Sequence, residues 1–199
     1  MNNMIYKIIT AIFFISITAF PQSKDSLYYL TAELGAGYSR YITTLDFPNL
    51  NQNGFSGTVR VMWHPEHLLS LGIETGYQYL YSIKANPNIP GIGVVEAKAS
   101  MVSVPIFIIY QMKILPSTLP NLGVLFGSGV FFLSSNSEVF GDNVSSSQLS
   151  LGFTGAASYL HPLNDDISIG GEIKYYYISK IQDADLSIQI LFSYKFLSW

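Results

Sequence analysis

The chain has 199 residues, a formal net charge of −3 at pH 7, 15 % aromatic residues and only 12 % charged ones. A soluble domain usually carries about 25 % charged residues, so this composition could hardly cover the outside of a soluble protein of this size. The 10 Lys and Arg are scattered, which excludes the basic patch of a nucleic-acid binder, and the lack of Cys excludes disulfides and a lipid-modified cysteine.

Residues 1–19 read as a signal peptide. Lys7 is followed by the apolar stretch "IITAIFFISITAF", and Ile17-Thr18-Ala19 offers a cleavage site. The run is shorter than the ~20 residues of a comfortable spanning helix; an uncleaved anchor is the other reading. After a short segment, 20–26, strand patterns fill 27–199.

The first pattern, 27–42, places Leu30, Ala32, Leu34, Ala36 and Tyr38 on one face and Thr31, Glu33, Gly35, Gly37 and Ser39 on the other. A polar loop, 43–54, leads to "FSGTVRVMW", where Val59, Val61 and Trp63 oppose Thr58, Arg60 and Met62. After the turn "HPEH", the segment 68–83 sets Leu69, Leu71, Ile73, Tyr77, Tyr79 and Tyr81 against Ser70, Gly72, Glu74, Gly76 and Gln78. A loop over 84–95 precedes "SMVSVPIFIIYQM" and "LGVLFGSGVFFL", both apolar on two faces but rich in β-branched residues, Gly and aromatics. A Ser/Asn-rich loop, 134–147, follows, then "QLSLGFTGAASYL", the turn "HPLNDD", "SIGGEIKYYYI" (168–178) and "DLSIQILFSYKF". Strict alternation specifies half-buried strands, and no helical period persists.

Alternation alone does not say which face points inward. The connections decide: they run long, short, long, moderate, long, short, and only the last, around 179–184, is shorter than this rule predicts. Short turns on one side and long loops on the other are the mark of outer-membrane barrels. Glu33, Arg60, Glu74, Glu172 and Lys174 each sit mid-strand opposite the aliphatics. A cation facing lipid at the midplane would cost about 2–4 kcal/mol, so these five are expected to form a polar network inside the barrel. Trp63, Tyr77, Tyr79, Tyr81, Tyr175 and Tyr177 fall where an interfacial aromatic belt would lie. The expected fold is an all-β, eight-stranded antiparallel up-and-down transmembrane barrel in the outer membrane, in contact with its lipid. An interior this narrow is filled by side chains.

Two stretches match at an offset of 98 residues: Ser70-Leu71-Gly72-Ile73-Glu74 with Ser168-Ile169-Gly170-Gly171-Glu172, each after a His-Pro turn. Recurrence of one hairpin type half a barrel apart and an old duplication both explain this. The three histidines, His64, His67 and His161, fall in the short turns. A solvated turn is the simpler reading of the His64/His67 spacing than a metal pair, and neither metal nor cofactor is expected. Glu172 with Lys174, or Arg60 with Glu74, is read as a structural lumen network rather than an acid–base pair.

Gln189, Tyr194 and Phe196 keep a spacing that resembles the C-terminal assembly signal of bacterial outer-membrane barrels, which implies the barrel-assembly machinery as a partner. Leu191 stands where that signal usually has Gly, and Leu197, Ser198 and Trp199 follow it. A merely apolar last strand is the alternative. Val104-Pro105-Ile106 with Tyr110, and the strand "LGVLFGSGVFFL" after a Pro-containing turn, resemble the outer membrane protein beta-barrel domain, the PorT-like porin family. The resemblance implies an envelope protein without known catalysis. Independently, Pro105 lacks an N–H and should mark a bulge or a broken ladder bond.

The resulting expectation is a non-enzymatic structural or interaction protein that offers loops 43–54, 84–95 and 134–147 to a protein partner. Alternatives are a secretion-accessory barrel or narrow porin, a lipid-modifying barrel enzyme, and a soluble lipocalin-like carrier. Lipid A deacylases resemble the strand architecture, but they need a Ser/His pair near the outer rim, where this chain has no His.

Overall fold

The structure, a computed structural model, describes residues 28–44, 49–65, 68–86, 88–89, 93–94, 97–115, 118–139 and 142–199. The expected signal peptide (1–19), the segment 20–26 and His67 lie outside these residues, as do parts of loops 43–54 and 84–95. The strands are β1 (Tyr29–Ile42), β2 (Leu50–Asn51), β3 (Asn53–His64), β4 (Leu69–Ala85), β5 (Asn88–Ile89) and β6 (Gly93–Val94). They continue with β7 (Ala97–Leu115), β8 (Leu119–Val139), β9 (Asp142–Pro162), β10 (Ile167–Ile178) and β11 (Asp183–Ser198).

Eight of them close a ring in the order β1-β3-β4-β7-β8-β9-β10-β11, every pairing antiparallel. The β1–β11 ladder, from Tyr29↔Ser198 to Ile42↔Ala184, joins first strand to last and leaves the ring without an edge. β2 adds a short rung to β4, and β5 with β6 forms a separate small hairpin in the outer connection.

Closure follows from alternation. The outward face carries Leu34, Val59, Ile73, Ile108, Phe126, Phe153, Ile173 and Ile190, all exposed. The inward face carries Glu33, Thr58, Arg60, Glu74, Gln78, Glu172, Lys174 and Gln189, all buried. Water could not favour this arrangement, because it leaves the apolar band outside and the charges within; lipid favours it. The ladder on the β4 side is broken at Pro105: pairing jumps from Thr75↔Ile106 to Gln78↔Ser103. The Thr75 hydroxyl donates to the Pro105 carbonyl at 2.9 Å, within a stretch where the missing N–H leaves no regular rung.

The strands are unequal in height. The Ser/Asn-rich segment 134–147, expected as a loop, is a ladder running from Ser134↔Ser147 to Val139↔Asp142. β4 and β7 rise beside it to Ala85↔Ala97, and β7 stays paired with β8 as far as Ala97↔Val139. On the other side β10 ends at Ile178 and β11 begins at Asp183. The outer end therefore has one tall wall and one low rim.

Candidate functional site

Arg60 stands on β3 with Glu33 as its Cα partner on β1 and Glu74 as its partner on β4. Its Nε lies 3.1 Å from Glu33 Oε2 and 3.6 Å from Glu74 Oε2, and its Nη2 lies 2.5 Å from Glu172 Oε2 on β10. Lys174 Nζ sits 2.8 Å from both Glu74 Oε2 and Glu172 Oε1. All five side chains expected in the lumen thus meet in one cluster, and none of the residues is more than 2 % exposed. The matching stretches of β4 and β10 occupy opposite sides of the ring, so Glu74 and Glu172 face each other across Lys174.

Tyr176 alternates onto the same face as Glu172 and Lys174 and joins the cluster, although no charge marks it in the sequence as a member. Its hydroxyl donates to Glu74 Oε1 at 2.8 Å, and Lys174 donates to Thr58 Oγ1 at 3.4 Å. Removing ions from water costs several kcal/mol each unless partners replace the solvent. Here two cations bridge three carboxylates, and the five groups come from β1, β3, β4 and β10.

The facing side of the lumen is apolar. Phe107 and Phe131 pack edge to face with centroids 5.1 Å apart, and Tyr176 lies 5.8 Å and 5.9 Å from them. Met62, Ile109 and Leu125 complete this buried layer. Apolar residues on the inner face as well as the outer explain why β7 and β8 alternate poorly. Glycines make the room: a Cβ on Gly152 would collide with the Phe131 ring.

The mouth on the side of the short turns is a cavity of about 350 Å³ lined by Glu33, His64, Ser70, Lys113, Asp166 and Lys195 among others. His64 departs from the solvated-turn expectation. It is the last residue of β3, 8 % exposed, with Nε2 3.0 Å from Thr31 Oγ1 and Nδ1 2.7 Å from Ser70 Oγ. Its ring also stacks on Tyr29 with centroids 4.2 Å apart. The reason is parity, since His64 shares the inward face of Arg60 and Met62 and the strand runs right up to Pro65. His161 is exposed, at the end of β9.

Trp63, Tyr77 and Tyr175 are 42 %, 44 % and 46 % exposed on the outer surface, and Tyr79 and Tyr177 are half-buried there. Tyr38, Tyr110 and Tyr159, outside the set expected for the belt, are exposed on the same surface. Tyr81 differs from its expected place. The β4–β7 register shifts between Tyr79 and Tyr81, and the Tyr81 ring stacks at 5.4 Å on Tyr41, a buried core residue. The extra residue, Leu80, is fully buried, so the bulge exchanges faces beyond it.

Gln189 faces the lumen and donates through Nε2 to Ser56 Oγ at 2.5 Å. Tyr194 is half-buried opposite Ala32, and Phe196 is passed over by β1, whose register shifts between Leu30 and Thr31. Lys195 lines the mouth, 3.5 Å from Asp166 Oδ1.

The outer membrane protein beta-barrel domain matches residues 8–196. The chain belongs to that family. Its location is therefore the outer membrane, where barrels of this kind turn their short connections to the periplasm and their longer ones outward. Among solved structures, the family fold is shared with Neisserial surface protein A at a TM-score of 0.53 and 15 % identity, covering 86 % of this chain and 98 % of that one. A major outer membrane protein from Thermus thermophilus is similar at a TM-score of 0.50 and 17 % identity, covering 85 % and 99 %. Ail, the attachment invasion locus protein of Yersinia pestis, is similar at 0.50 and 12 % identity, covering 84 % and 98 %. No curated protein matches the chain in sequence.

Proposed function

We propose that this family member is a non-catalytic, plugged barrel that anchors a rigid β-platform on the cell surface for a protein partner. The observation that carries the reading is the tall wall. β9 exposes every residue from Asp142 to Ser147, and its partner on the other side, β10, stops at the Ile178↔Gly152 rung. The upper part of β9 therefore offers backbone N–H and C=O groups on an unpaired edge, which an extended peptide can complete as an added strand.

The lumen cluster and the Phe107–Phe131–Tyr176 layer act as the plug, and the five charged groups clasp four strands. The last strand, through Gln189, Tyr194 and Phe196, is the segment the barrel-assembly machinery would engage. A photo-reactive residue at Ser146 tests the platform in living cells. A discrete protein adduct there, absent with the same probe at Lys180 on the low rim, is expected; equal labelling at both sites, or none at Ser146, contradicts it. Single-channel recording tests the plug: the account expects a closed baseline, and a sustained open level contradicts it.

A further inference from the structure

Above the charged cluster, the outer end of the lumen holds buried oxygens with nothing to bind. Asp183 and Asp185 open β11 just after the turn at 179–182 and are 7 % and 0 % exposed. Neither carboxylate oxygen of Asp185 has a hydrogen-bond partner. Ser187, two positions along the same face, is 0 % exposed with an unpartnered Oγ, and so is Ser39, its Cα partner on β1. Asp185 itself is paired with Tyr41, whose hydroxyl donates to Asp183 Oδ2 at 2.5 Å. Adjacent strands lie about 4.8 Å apart and same-face neighbours about 7 Å apart, so Asp185 has Asp183 one step above it and Ser187, with Ser39 opposite, one step below.

The nearby donors are engaged elsewhere. Lys174, the partner of Ser187 on β10, is held by Glu74, Glu172 and Thr58. Tyr176, the partner of Asp185 on β10, donates to Glu74. Among the described residues, neither Asp183 nor Asp185 forms an ion pair with Lys or Arg. A buried carboxylate with neither donor nor counter-charge is costly, and a donor set made only of carboxylate and hydroxyl oxygens suits a hard cation.

We propose that Asp185, with Ser39 and Ser187 below it and water completing the shell, forms a binding site for calcium beneath the low outer rim. Calcium accepts irregular shells of 6–8 oxygens, some of them water, whereas magnesium demands a near-octahedral shell. The Asp185 carboxylate binds the ion directly, and Asp183, one step above, adds negative charge through water. The site lies at the start of β11, next to the outer connection at 179–182, so the path from the exterior is short.

Terbium, which replaces calcium and emits when a nearby excited tyrosine transfers energy to it, tests the site. Tyr41 hydrogen-bonds Asp183 and stacks on Tyr81, placing two sensitisers beside the oxygens. The barrel refolded in detergent should show saturable, tyrosine-excited terbium emission that calcium reverses. Asp185→Asn should weaken the apparent affinity about tenfold or more and Ser187→Ala about threefold, while Asp142→Asn on the tall wall leaves it unchanged. Absent emission, or equal weakening by Asp185→Asn and Asp142→Asn, overturns the proposal. If Asp185→Asn does not refold, as judged by a heat-dependent gel shift, Ser187→Ala decides: unchanged affinity overturns the site.

Discussion

One continuous ladder, β8 with β9, passes through two environments. From Leu122↔Tyr159 to Leu133↔Gln148 its faces differ sharply: Leu125, Phe131, Thr154 and Ala156 are buried, while Phe126, Phe132, Leu151 and Phe153 are exposed. From Ser134↔Ser147 upward the backbone pairing continues unchanged, but β9 buries neither face. Side-chain alternation is therefore a signature of the solvent on each side of a strand, not of the strand itself. Backbone hydrogen bonds hold the upper ribbon in register; packing against lipid and lumen holds the lower ring.

If that division is right, substitutions in the ring should be expensive and changes in the ribbon cheap. The largest effect is expected for Glu172→Leu, which strands Arg60 and Lys174 beside a missing carboxylate. Breaking a buried ion pair costs about 3–5 kcal/mol, read as a lowered urea midpoint of the refolded barrel. An unchanged midpoint would argue that Glu172 does not face inward. Ile173→Lys, one residue away on the other face, should cost about 2–4 kcal/mol in lipid vesicles. In a soluble sheet the same exchange would be nearly neutral.

Gly152→Val forces a side chain against the Phe131 ring and should cost about 1–3 kcal/mol by overpacking, seen as a smaller drop in the same urea midpoint. The smallest effect belongs to the ribbon. Replacing 134–147 by Asn-Gly, which closes a tight two-residue hairpin, should change barrel stability by less than about 1 kcal/mol while abolishing any adduct at the outer wall. A large loss of stability would show that the ribbon is part of the barrel's own packing.

The same division explains what could be read from the sequence. The ring was legible because lipid and lumen impose opposite demands on neighbouring residues; parity puts Glu33, Arg60, Glu74, Glu172 and Lys174 on one face, and the lengths of the connections turn that face inward. The ribbon was not legible, because Ser and Asn on both faces of 134–147 carry no alternation and resemble a loop. His64 was misplaced by its neighbour Pro65, whose turn signal outweighed the parity linking it to Arg60 and Met62. Tyr81 was misplaced because one inserted residue, Leu80, exchanges the faces beyond it, and a bulge leaves no local mark when both candidates are apolar. Tyr176 shares the Glu172–Lys174 face by the same parity, but an aromatic side chain carries no charge to mark it as part of the cluster. The convergence of Asp185 with Ser39 depends on closure of β1 against β11, a pairing between the two ends of the barrel that no local pattern reveals.

Spin labels at positions 73, 173 and 146, with the barrel in lipid vesicles, test the central claim most directly. Collisions with dissolved oxygen should dominate at 73 and 173, and collisions with a water-soluble nickel complex at 146. Aqueous surroundings at 73 and 173 would mean that the aliphatic face is not turned toward lipid, and the interior assigned to the charges would be lost with it.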